Sequence, residues 1–116
     1  MVDAHAITEQ ARLLSHRVYA DLIGQDPSYI GRARAVMAER LADGRATVGE
    51  KLWSRLLRRP WEEIRQQMLA VTPEGRLLRS NSPFSRLIGV KDPDVRRELW
   101  RIAKRDLDGA ETRITA

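Results

Sequence analysis

Thr72-Pro73-Glu74-Gly75-Arg76-Leu77-Leu78-Arg79-Ser80-Asn81-Ser82-Pro83-Phe84 holds two helix starts separated by a few polar residues. Proline suits the first helical position, where its missing N–H has no intrahelical partner and its fixed φ already matches the helix. Ahead of each proline stands a hydroxyl residue, Thr72 or Ser82, able to accept a hydrogen bond from a first-turn amide. The same arrangement recurs at Asp26-Pro27 and Asp92-Pro93. Only Arg59-Pro60 lacks a capping side chain, and Glu62-Glu63 follow it, acids that favour a first turn. The prolines thus mark helix starts, and the chain reads as all-α.

Working outward, a first helix is expected from about Ala4 to Ile23, with Ile7, Ala11, Leu14, Val18 and Leu22 as its inward stripe and Gly24 as its stop. A second runs from Pro27 to about Asp43, turning Ile30, Ala33, Met37 and Leu41 inward, with Gly44 beyond its end. Joined at Gly24-Gln25-Asp26, these two form an antiparallel hairpin. Thr47 and Glu50 spell a capping box at the start of a third helix, which buries Leu52, Trp53, Leu56 and Leu57. Pro60 opens a fourth with Trp61, Ile64, Met68 and Leu69 as its stripe. Short helical turns are expected over 73–79 and 83–88. The last long helix, Pro93 to about Leu107, is expected to bury Val95, Leu99 and Ile102. No stretch alternates long enough to be a strand. The expectation is one compact bundle of about five main helices plus short turns, over residues 1–108, with 109–116 a frayed polar tail.

A chain of 116 residues has room for one domain. It has no cysteine, so disulfides and thiolate metal sites are excluded, which suits a reducing compartment. No basic stretch followed by an apolar run opens the chain, and no 18 apolar residues run together. The expected location is cytoplasmic, with no membrane contact. The net charge of +5 is uneven: residues 1–57 carry +1, residues 58–105 carry +6, and the remainder −2. Of the 21 basic residues, 18 are Arg, so part of the excess reflects codon composition.

Catalytic and metal patterns fail to assemble. The two histidines, His5 and His16, stand eleven residues apart, and the acids are mostly scattered, so no metal or cofactor is expected. There is no G-x-S-x-G, G-x-G-x-x-G or G-x-x-x-x-G-K. Arg12 and His16 resemble the Arg-x4–6-His pair with which HEPN-type ribonucleases act on RNA phosphate, but only three residues intervene here. The basic second half is the richest signal. Arg97, Arg101 and Lys104 share one face of the last helix, flanked by Arg96 and Arg105, and Arg76, Arg79 and Arg86 could extend that patch. Such a face could neutralise phosphates in a salt-sensitive, sequence-blind way; its bland alternative is a solvated helix back, partly offset by Asp94 and Glu98. Trp100 lies between the apolar stripe and this face, where an amphipathic aromatic often marks an interface. The Ser80–Phe84 loop has two readings: a recognition loop edged by Arg79 and Arg86, or an ordered connector plugged into the core by Phe84.

Several of these features occur together: His16-Arg17 with Val18, Asp26-Pro27 with Ala33-Arg34, the Trp53/Leu56/Leu57 block, and Leu78-Arg79-Ser80-Asn81-Ser82-Pro83-Phe84. Over roughly residues 12–100 the combination resembles short uncharacterised bacterial proteins with an LR-polar-Ser-Ser-Pro-Phe signature, associated with toxin–antitoxin neighbourhoods. Asn81 stands where serine is commoner. The resemblance implies a partner-binding, antitoxin-like protein and assigns no residue a role. The leading expectation is therefore a non-enzymatic module that binds a cognate toxin or a second copy of itself, through Arg79, Phe84, Arg86, Arg97, Trp100 and Arg101. The rival is a small nucleic-acid-binding regulator using Arg96, Arg97, Arg101, Lys104 and Arg105. A weaker third is an RNase-like toxin acting through Arg12 and His16.

Overall fold

A computed structural model describes residues 3–89 and 93–115, with side chains described through 109. Among these residues the chain is all-α, with no strand. Seven helices follow one another: α1 (Ala4–Gln25), α2 (Ser28–Ala42), α3 (Val48–Leu56), α4 (Trp61–Met68), α5 (Pro73–Ser80), α6 (Pro83–Leu87) and α7 (Pro93–Thr115). None is long and apolar enough to cross a membrane.

At α5 and α6 the caps are the residues that precede the prolines, whereas α2 starts at Ser28 with Pro27 as its N-cap and no side-chain cap. The Thr72 hydroxyl accepts the Gly75 amide at 3.0 Å, and the Ser82 hydroxyl accepts that of Phe84 at 3.1 Å. Asp26 accepts from both the backbone N–H and the hydroxyl of Ser28. These two bonds, side chain first, hold its carboxyl below the usual range. Thr47 and Glu50 form a full capping box. Pro60 departs from the expected pattern: at ψ 150° it stands just outside α4, and Trp61 is the first helical residue. The Asp92 cap lies outside the described residues. Gly44, at φ +70°, ends α2 in the left-handed region that favours glycine.

The chain divides into two compact units. One takes the first half of α1, through Ser15, together with α7; the other runs from His16 to Gly89. In the second, α2 packs on α3 and α6, while α5 packs on α3 and α4. Its core joins Tyr19, Ala20 and Ile23 of α1 to Ala33, Met37, Trp53, Leu56, Leu57, Ile64, Met68, Leu78 and Phe84. Among the described residues of the first unit, Ile7, Leu13 and Ala103 are the buried apolar side chains.

The α1 stripe is a correction. Val18 and Leu22, expected inward, are 49% and 37% exposed, while Leu13, His16, Tyr19, Ala20 and Ile23 are buried. Ile7 is buried as expected, but from Leu13 onward the buried residues lie on nearly the opposite side of the helix from the expected stripe. That buried side uses a histidine and an alanine, which hydropathy alone ranks below the valine and leucine beside them. Leu41 and Val95 are likewise exposed, and Leu99 and Ile102 are only half-buried, with Ala103 at the centre of the covered face of α7. The last helix also continues to Thr115, past the expected end near Leu107.

Candidate functional site

The segment Leu78–Phe84 turns inward residue by residue. The Leu78 side chain is fully buried, and its carbonyl accepts the Trp53 indole N–H at 2.6 Å. Arg79 is 3% exposed. Its Nη1 donates to the carbonyls of Met68 at 3.0 Å and Ala70 at 2.8 Å, just where α4 ends. Helix C-termini present unpaired carbonyls and a negative dipole end, so a buried cation there satisfies two needs at once. Gly75 makes this approach possible, since a Cβ on it would sit 2.2 Å from the Ala70 oxygen and 3.1 Å from Arg79 Nη1. Asn81 accepts a hydrogen bond from the Thr47 hydroxyl at 2.8 Å and donates to the Leu77 carbonyl at 2.9 Å, clasping the end of α5 to the start of α3. Gly49 of α3 leaves room for that amide. Ser82 caps α6, and Phe84 stands edge-on to Trp53 with ring centroids 5.5 Å apart.

Arg79 and Phe84 were expected among the partner-binding residues. The structure buries both within the contacts just described. The connector reading of the loop describes these contacts; the recognition-loop reading does not. Arg76 and Arg86 remain exposed, on α5 and α6.

On α7, Arg96, Arg97, Trp100, Arg101, Lys104 and Arg105 are all exposed. Arg97 is hydrogen-bonded to Asp94, and the Arg101 Nε donates to Glu98 at 3.0 Å. The hydrogen bond from Arg101 comes first in holding the Glu98 carboxyl below its ordinary range, with the Arg101 and Arg105 charges adding to it. Trp100 is 38% exposed and Val95 46%. Residues 1–15 and 90–116 together carry eight basic and eight acidic side chains, whereas residues 16–89 carry thirteen and eight. The whole net charge of +5 therefore belongs to the unit without α7.

Arg12 makes an ion pair with Glu9 at 2.9 Å. His16 is 1% exposed and packs edge-on against Tyr19, with ring centroids 4.9 Å apart. The imidazole is thus enclosed within the fold. Among the described residues, no group of three or more His, Asp or Glu could hold a metal ion.

Two concavities flank α3, and neither was anticipated from the sequence. One, of about 250 Å³, lies between α2 and α3 and is lined by Arg34, Met37, Ala38, Leu41, Ser54, Leu57 and Arg58. The Arg34 Nε donates to the Leu57 carbonyl at 2.8 Å, capping the end of α3. The other, about 180 Å³, lies between α3 and α4 over Leu52 and Leu56. The Arg59–Glu63 ion pair, at 2.9 Å, lies along its edge. Arg34 and Arg58 are 24 residues apart, and no local spacing rule connects them.

No protein-family model, curated protein or solved structure matches the chain.

Proposed function

We propose that the protein is a non-enzymatic helical module that binds a protein partner, with α7 as a contact surface. The observation that carries this reading is an exposed tryptophan set among ion-paired arginines on a helix whose unit has no net charge. Protein interfaces are enriched in Trp and Arg and use mixed, complementary charge. A polyanion surface needs a net positive field, and here Asp94 and Glu98 already engage two of the five cations. The residues proposed to act are Trp100, Arg97 and Arg101, with Arg86 a separate candidate. An antitoxin or accessory role in a bacterial toxin–antitoxin pair, in the cytoplasm, is supported by the Leu78–Phe84 signature alone.

The test is co-expression with the product of the adjacent gene, followed by co-purification and titration. A complex that Trp100→Ala or Arg97→Glu weakens by about tenfold or more supports this reading. Absence of a complex, together with salt-steep binding to DNA or RNA that Arg96→Glu and Lys104→Glu abolish, would replace it with the nucleic-acid regulator. Sedimentation of the isolated chain separates a second copy from a different partner.

A further inference from the structure

We propose that the groove between α2 and α3 docks an acidic peptide segment of a protein partner, seating one apolar side chain on Met37, Leu41 and Leu57 with a neighbouring carboxylate on Arg34 and Arg58. This does not depend on the role of α7.

Size argues for a side chain. At about 250 Å³ the groove falls below the roughly 300–1,000 Å³ typical of small-molecule sites, so it suits an anchoring residue better than a whole cofactor. Its floor is apolar, and Leu41 is 39% exposed at its edge, so an occupant would remove hydrocarbon from water. Charge sets the sign of the occupant. The surrounding unit carries the entire +5, and both charged side chains in the lining are arginines.

Arg34 is also preorganised. Among the described residues its one hydrogen bond is from Nε to Leu57, which anchors the guanidinium at the end of α3. Of the five N–H donors in the fork, four remain for a carboxylate. The same bond offsets the negative end of the α3 dipole, which would otherwise oppose an anion there. Ser54, half-buried in the lining, adds a hydroxyl for a peptide amide or carbonyl. A nucleic acid fits less well, since single strands bind by stacking bases on aromatic rings and the lining contains none.

The experiment titrates the full chain, isotope-labelled for amide NMR, with a short peptide of two leucines flanked by glutamates; its lysine counterpart is the control. The expected result is saturable shifts concentrated at residues 34–41 and 54–58, for the glutamate peptide only. Arg58→Glu and Leu41→Glu should each weaken binding about tenfold or more, with amide dispersion preserved. Arg34 caps α3, so the test rests on Arg58 and Leu41, neither of which holds up a helix end. Trp100→Ala should leave this binding unchanged, which separates its failure from that of the α7 reading. Equal binding of the lysine peptide, shifts confined to other residues, no shifts, indifference to Arg58→Glu, or stronger displacement of the same amides by a single-stranded oligonucleotide would each overturn the proposal.

Discussion

Residues 78–84 and residues 94–101 use the same side chains for opposite ends. In the first, an arginine and a large aromatic are enclosed: Arg79 donates to the Met68 and Ala70 carbonyls, and Phe84 meets the edge of Trp53. In the second, Arg97, Arg101 and Trp100 face solvent, and each arginine meets an acid three residues earlier on its own helix. The difference comes from what surrounds each guanidinium. Arg79 lies beside the carbonyl-rich end of α4, with no side chain on Gly75 to obstruct it. Arg97 and Arg101 of α7 pair with acids on their own helix instead. Exposed pairs of this kind contribute little to stability.

The comparison breaks most easily at Phe84. Phe84→Ala should destabilise the fold by about 3–5 kcal/mol, measured by urea denaturation, because a fully buried ring leaves a cavity against Trp53. A loss below about 1 kcal/mol would mean that the segment is not a core element.

Next comes Arg79→Met. It keeps an apolar stem but leaves two carbonyls at the end of α4 without their donor, for an expected loss of about 1–3 kcal/mol. Gly75→Ala should fall in a similar range, since its Cβ would collide with the Ala70 oxygen. Unfolding curves that superimpose on the parent for both variants would remove the capping role from Arg79.

Thr47→Ala should cost about 1 kcal/mol through loss of the α3 cap, and this site also has a pH signature. The Glu50 carboxyl is held below its ordinary value, first by the hydrogen bonds from the Arg40 side chain and then by the Thr47 backbone N–H. A lowered folded-state pKa means that the contribution is present above the unfolded value, near 4.5, and fades as pH falls through the folded one. Glu50→Gln should therefore flatten the acid limb of a stability–pH curve. An unchanged limb would show that the ion pair does not couple to folding.

The smallest expected stability effect belongs to Trp100→Ala, within about 0.5 kcal/mol, because the side chain is exposed. Partner affinity should move far more than stability does. A thermal shift as large as that of Phe84→Ala would make Trp100 a structural residue and leave α7 without its proposed anchor.

The two regions also show how far the sequence could be read. Helix starts at Thr72-Pro73 and Ser82-Pro83, and the Thr47–Glu50 box, were legible because a cap involves residues two or three apart. The buried side of α1 was not. From Leu13 onward its stripe runs through His16 and Ala20 while Val18 and Leu22 face outward, and only the packed neighbours select between the two sides of the helix. The burial of Arg79 is not legible in the sequence for a similar reason. Arginine is almost never fully buried unless paired, and its carbonyl partners stand nine and eleven residues away on another element.

By itself, then, the sequence determined the helical class, the positions where helices begin, and the presence of an arginine excess, because these depend on backbone chemistry and composition within a turn or two of chain. Tertiary structure alone decided which arginines are structural and which are available, and that Arg34 and Arg58 flank one groove. Burial and charge pairing are set by whatever lies across the interface between helices, and a guanidinium reads the same in sequence whether a carbonyl end, a carboxylate or water is waiting for it.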